Sequence, residues 1–294
     1  MLLRSTSFVL FTAVSLFAQD AARPAAPAGK ELRIHVIGAS VSGGFRDGPA
    51  FGAAEAGDSV MLQQVLRNWT GDHARATSHG APDMLAMFMN PVKHGQAQID
   101  GVLKAAPDVV VAIDFPFWFA YGHVGAKEAE ERKARFATGL AMMEKLTMPV
   151  LVGDLPDMTG AAQRMLSPKQ VPSPDVLAAL NTQLAEFVKA HPNFRVVPLA
   201  ALVKTMKVDG APLPLAKGAL QTPPAALLQA DHLHATRLGM AFLGFSIQDP
   251  LRAAFPKDHP LHAQNWTFEQ FVEAAGAEDE LESLRAKVAP RASK

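Results

Sequence analysis

Residues 31–44 read ELRIHVIGASVSGG, an apolar run that alternates as a strand does and then stops in small residues carrying two serines. The alternation predicts a β-strand, and Gly38, Gly43 and Gly44 predict a tight turn directly after it. Outward from this stretch, strand-like and helix-like segments take turns. Residues 74–80 (ARATSHG) suit a short strand, and 107–115 (PDVVVAIDF) are a β-branched run of the kind buried on both faces of a parallel sheet. Two more strands are expected within 148–157 (MPVLVGDLPD) and 193–199 (NFRVVPL).

Helical spacing of apolar residues appears between them. Residues 58–69 predict a helix capped by Asp58 or Ser59, and 84–105 predict one that Pro91 breaks or kinks. Further helices are expected over 126–146, 173–191, 236–255 and 268–288, and the Pro- and Gly-interrupted stretch 207–229 reads as a loop. Five strands alternating with helices argue for an α/β domain whose parallel sheet is covered on both faces. In such sheets, ligands bind beyond the carboxyl ends of the strands. Ser40 and Ser42 fall there, although a plain connecting loop has the same composition.

The ends of the chain read differently. Residues 1–18 have a cation at Arg4, an apolar core from Phe8 to Phe17 and a small residue at Ala18, the pattern of a signal peptide. An uncleaved anchor is the alternative, but the apolar core falls short of the ~20 residues of a transmembrane helix. Residues 19–30 form a Pro/Ala linker, 31–256 the main domain and 257–294 a C-terminal helical extension. The expected location is secreted or periplasmic, with no stable membrane span once the signal is removed. The 28 basic and 28 acidic residues balance, so bulk charge offers nothing to nucleic acid. The chain has no cysteine, which excludes disulfides and thiol chemistry and suits a bacterial envelope protein held by its core. Asn68 and Asn265 each begin a glycosylation-type tripeptide, a pattern common by chance.

A second signal stands at 230–239, ADHLHATRLG. Asp231 and His234 are three residues apart, so one turn can aim both side chains the same way. An imidazole that takes a proton from a serine needs such a carboxylate behind it. A capped helix start explains the same spacing, and HLH could be part of a metal site, though no further ligand lies at a suggestive distance in sequence.

With these stretches together, the chain resembles the SGNH, or GDSL-type, hydrolases over roughly residues 31–255. GASVS stands where that family has Gly-Asp-Ser-Leu-Ser, which puts Ser40 on the nucleophile. TSHG puts Gly80 on the oxyanion glycine, and DHLH puts Asp231 and His234 on the family's Asp-x-x-His block. The region from 149 to 191 is similar to the family's fourth strand and the helix after it. The resemblance implies a flavodoxin-like three-layer α/β/α sandwich with a five-stranded parallel sheet. It implies an esterase working through an acyl-enzyme on Ser40, with the Ser40 and Gly80 N–H groups as oxyanion hole and no cofactor or metal. Acetylated saccharides or short-chain esters are the substrates it suggests.

Two departures stand out. Ala39 replaces the family's Asp beside the nucleophile, an acid that organises the turn. The third block, where the family's Asn donates to the oxyanion, is AIDFPFWFAYG here and has no asparagine. Losing one oxyanion donor costs about 10²–10³ in rate. This leaves either a weaker enzyme or a non-catalytic envelope binding protein of the same fold. His79, Trp118 and Tyr121 are possible replacement donors, whereas an ionised Asp114 only accepts. Asp114, Phe115, Phe117 and Trp118 are the expected substrate-binding residues, the aromatic ones forming a wall at the crevice; core packing is the alternative for them. An unrelated doubly wound phosphate- or flavin-binding protein is the last rival, and it leaves Asp231 and His234 without a purpose.

Overall fold

The computed structural model describes residues 31–49, 54, 56–71, 74–78, 80–162, 164–263 and 266–288. The expected signal and linker, and His79 and Asn265, lie outside them. Five strands form one all-parallel sheet: β1 (Leu32–Val36), β2 (Ala74–Ser78), β3 (Val109–Ala112), β4 (Val150–Gly153) and β5 (Phe194–Val197), in the order β2-β1-β3-β4-β5. This is the flavodoxin-like order, and its switch point lies between β1 and β3, where the connections leave to opposite faces and open a crevice.

The sheet is sandwiched because its central strands are apolar on both faces. Val109 and Val111 of β3 pack with Val65 of α1 (Leu62–Thr70), Leu199 of α7 (Leu199–Lys204), Ile247 of α8 (Arg237–Ala253) and Phe271 of α9 (Phe268–Ala275). Val110 and Ala112 point the other way. They pack with Ile99 of α3 (Pro91–Ala105), Phe136 of α5 (Glu128–Met143) and Leu180 of α6 (Pro174–Ala190). Side chains alternating across a strand thus produce three layers. Among the described residues, no helix is long and apolar enough to cross a membrane.

Other local expectations meet mixed outcomes. Of a break or a kink at Pro91, the structure has the break. Pro91 is the first residue of α3, Asn90 caps that helix by accepting a hydrogen bond from Lys93 N at 3.0 Å, and a separate α2 (Ala81–Ala86) precedes it. Neither Asp58 nor Ser59 caps α1, which begins three residues later behind Met61, while Asp58 forms an ion pair with Arg237. The stretch read as a loop over 207–229 contains an antiparallel hairpin, β6 (Pro212–Leu215) and β7 (Gly218–Gln221). Prolines two residues apart fall on one side of a strand, and a two-stranded ribbon, having only edges, tolerates them. The helix expected over 268–288 is two, α9 and α10 (Glu278–Val288), because Gly276 turns left-handed at φ 62°. These C-terminal helices close onto the body, with Trp69 of α1 packed against Trp266 and Phe271.

The aromatic run after β3 folds into the short α4 (Phe117–Ala120). Phe119 is fully buried where two helices carry glycine in place of a side chain. A Cβ at Gly139 of α5 would lie 2.7 Å from Phe119 Cγ, and one at Gly95 of α3 would lie 2.9 Å from Phe119 Cζ. Gly139→Ala therefore sets an overpacking cost of about 1–3 kcal/mol against a helix-propensity gain of up to about 1 kcal/mol. We expect the variant to lose roughly 1–2 kcal/mol in urea denaturation, and an unchanged or raised midpoint would show that the Phe119 seat is not tight.

Candidate active site

The turn after β1 is built from backbone hydrogen bonds, Gly43 N to Ala39 O at 2.9 Å and Phe45 N to Ser40 O at 3.0 Å. Asp114, two residues past β3, holds it from below. Its Oδ2 accepts from Val41 N at 3.0 Å and Ser42 N at 3.1 Å, and its Oδ1 accepts from Ser42 Oγ at 2.5 Å. Burial pushes the Asp114 carboxyl above its ordinary range, although donation from Ser42 and from the N–H groups of Ala39, Ser42 and Val41 opposes the shift. Gly38 is obligatory because a Cβ there would meet Asp114 Oδ1 at 2.1 Å. The amide of Gln98 from α3 then grips Gly38 at both ends, accepting from its N–H at 2.7 Å and donating to its C=O at 2.9 Å.

The residue of the turn that this frame presents is Ser40. Its Oγ lies 2.8 Å from His234 Nε2, across 194 positions of sequence. On the other side of the ring, His234 Nδ1 lies 2.6 Å from Asp231 Oδ2. A carboxylate only accepts, so this contact puts the proton on Nδ1 and leaves Nε2 free to accept from the serine hydroxyl. Asp231 Oδ1 accepts from Leu233 N at 2.8 Å and His234 N at 2.9 Å, which folds the loop around its own acid. Burial alone would raise the Asp231 carboxyl, but the hydrogen bond and charge of His234, with the two N–H donors, bring it below the usual carboxylate value.

Two residues outside the sequence expectations lock this loop. Gln229 accepts from Asp47 N at 2.8 Å and donates to Phe45 O and Ala235 O, both at 2.8 Å. Phe45 stacks on the His234 ring with centroids 4.2 Å apart. A glutamine adjoining the Asp-x-x-His block was the available signal for Gln229. Gln98, in the middle of a helix, carried none.

Ser40 and His234 open on a cavity of about 420 Å³. Of the expected substrate-binding residues, Trp118 lines it; the other three do not. Asp114 is buried beneath the turn, Phe115 packs on Phe119, and Phe117 stacks on Tyr121 at 4.0 Å. Phe115 with Phe119 and Phe117 with Tyr121 are pairs four residues apart, and each pair packs along its own face of α4 and its flanks in the buried interior.

Gly80 caps α2 at a positive φ of 81°, two residues beyond β2, the strand that pairs with β1. Among the described residues, neither the Ser40 N–H nor the Gly80 N–H has an intramolecular acceptor. Tyr121 is committed elsewhere, donating to Pro156 O at 2.5 Å and accepting from Met158 N. Trp118 Nε1 is buried and has no hydrogen-bond partner among the described residues. Among the described residues, no group of three or more His, Asp or Glu side chains is placed to hold a metal.

No protein-family model and no curated protein sequence matches the chain. Solved structures superpose on it loosely. A gut microbial diltiazem-metabolizing enzyme aligns over 76% of this chain at 12% identity and a TM-score of 0.45. This chain spans less than half of that one, 47% of its length. A Bacteroides fragilis protein described as an acylhydrolase aligns over 77% of this chain and 89% of its own, at 15% identity and a TM-score of 0.45. An acetyl xylan esterase aligns over 75% of this chain and 100% of its own, at 14% identity and a TM-score of 0.44. Identities and scores this low transfer no activity, so function rests on the geometry of the site.

Asp114→Asn tests the frame. An amide can replace one acceptor oxygen but turns an NH₂ toward the Val41 and Ser42 N–H groups or toward the Ser42 hydroxyl. Charge-assisted bonds of this kind are worth about 1.5–3 kcal/mol each. The expected result is a loss of about 2–3 kcal/mol in stability and at least about tenfold slower modification of Ser40 by a fluorophosphonate. Wild-type values for both would free Asp114 from this duty.

Proposed function

We propose that the chain is an exported serine hydrolase of the SGNH type that cleaves carboxylic esters by acyl transfer. One observation carries the proposal: Ser40 Oγ, His234 and Asp231 form a continuous hydrogen-bonded chain, 2.8 Å and 2.6 Å in its two steps, at the wall of a cavity. A buried, acid-backed imidazole in contact with a serine is the arrangement that nucleophilic catalysis requires. A structural histidine has no need of it.

The chemistry follows from the atoms. Ser40 Oγ attacks the ester carbonyl while its proton passes to His234 Nε2. Asp231 stays ionised, fixes the Nδ1–H tautomer and stabilises the imidazolium. The tetrahedral oxyanion is held by the Ser40 and Gly80 N–H groups, which have no intramolecular acceptor among the described residues. His234 then returns the proton to the leaving alcohol, and water repeats the sequence to release the acid. No step calls for a metal or an organic cofactor. The absent third-block asparagine implies a slower enzyme, by about 10²–10³ if no other donor replaces it. Export rests on the signal-like residues 1–18 and would place the activity in the periplasm or outside the cell.

Incubation with a fluorophosphonate should label the wild-type protein at Ser40, and Ser40→Ala should abolish both labelling and ester hydrolysis. A folded wild-type protein that resists the probe and hydrolyses no ester would support a binding protein instead. Asp231→Asn keeps the shape but releases the tautomer, so kcat should fall about 10³–10⁴-fold with KM little changed.

A further inference from the structure

We infer that the ester recognised by this site carries a medium-length or aromatic apolar group, and that acetyl groups on saccharides are not its main substrate. The inference rests on the hydrolase proposed above and on the composition of the cavity beside Ser40. Phe45, Leu85, Phe88, Trp118, Met165 and Leu166 form its walls. Apart from Ser40 and His234, the one polar side chain among the described lining residues is Gln170. A sugar ring brings several hydroxyls, each of which loses water on entry and needs a partner. Among the described residues, these walls offer Gln170, since Trp118 Nε1 is itself buried. Size points the same way. The cavity measures about 420 Å³, and at about 30 Å³ for a water-sized atom it has room for roughly a dozen non-hydrogen atoms. An acetyl group has three and would leave most of the apolar wall against water.

The mouth continues the apolar surface. Phe88 is 57% exposed although it lines the cavity, and its ring centroid lies 6.0 Å from that of Trp118. Met89, next in sequence, is 69% exposed. An apolar chain bound at Trp118 therefore passes out over Phe88, covering surface that is otherwise wet.

The test measures kcat/KM of the mature protein on two ester series kept below their aggregation limits. One is p-nitrophenyl esters from acetate to decanoate; the other is acetate esters of alcohols from methyl to decyl. We expect one series to rise about three- to fourfold per methylene and to level off once the cavity is full. The series that rises tells whether the acyl or the alcohol side occupies it. Leu85→Trp and Met165→Trp, which fill the cavity, should each lower the long-to-short ratio at least tenfold. Fastest turnover of acetate and methyl esters, with decline along both series, overturns the inference and leaves the hydrolase standing. So do filled variants that still take up fluorophosphonate but keep the wild-type ratio. If no ester is turned over and Ser40 takes up no probe, the hydrolase itself fails and this inference falls with it.

Discussion

A carboxylate and a turn bury each other at the centre of this protein: Asp114 has lost its water, and the turn after β1 has N–H and O–H groups that need an acceptor. Oδ2 receives two backbone N–H groups and Oδ1 receives the Ser42 hydroxyl, so the carboxylate and the Val41 and Ser42 donors satisfy one another, while the Ser40 N–H has no acceptor among the described residues. The arrangement spans the switch point, because the carboxylate follows β3 and the turn follows β1. It places Ser40 at the head of the crevice and forces glycine at position 38. The turn lacks an acid of its own at Ala39. The neighbouring strand supplies one.

The imidazole is brought to Ser40 by a loop of very short range. Asp231 orients the ring through one oxygen and closes the loop through the other, so a single side chain serves catalytic geometry and local folding. Gln229 ties this loop to the strand of chain leaving the serine turn, and the Phe45 ring covers the imidazole face. Beyond it, α8 is tied to the C-terminal helix by Arg237, which pairs with Asp279 and Glu280. The C-terminal helices thus brace the element that follows the histidine.

Much of the fold was legible because its signals are local. Uninterrupted β-branched runs such as Val109–Val111, alternating with amphipathic helices, specify buried parallel strands wherever they occur. The misses have local causes too. Prolines 212 and 214 masked a hairpin, and Gly276 stops a helix whose apolar spacing continues on both sides. Within the site, Asp231 and His234 stood out by residue type and spacing, whereas Ser40 was set apart from Ser42 by the resemblance of GASVS to the SGNH motif. Gln98 and Gln229 did not stand out, since a buried glutamine differs from an exposed one only in what surrounds it.

Sequence alone determined the alternation of strands and helices, the serine at a strand's carboxyl end, and the acid three residues before a histidine, because each is written within a dozen consecutive residues. Tertiary structure alone decided that Ser40 and His234 meet, that Asp114 faces the turn instead of the crevice, and that of the aromatic run Trp118 is the one lining the cavity. The physical reason is range. Propensity and periodicity act between neighbours, whereas the distance between two loops is set by strand order and by the packing of layers that no short stretch contains.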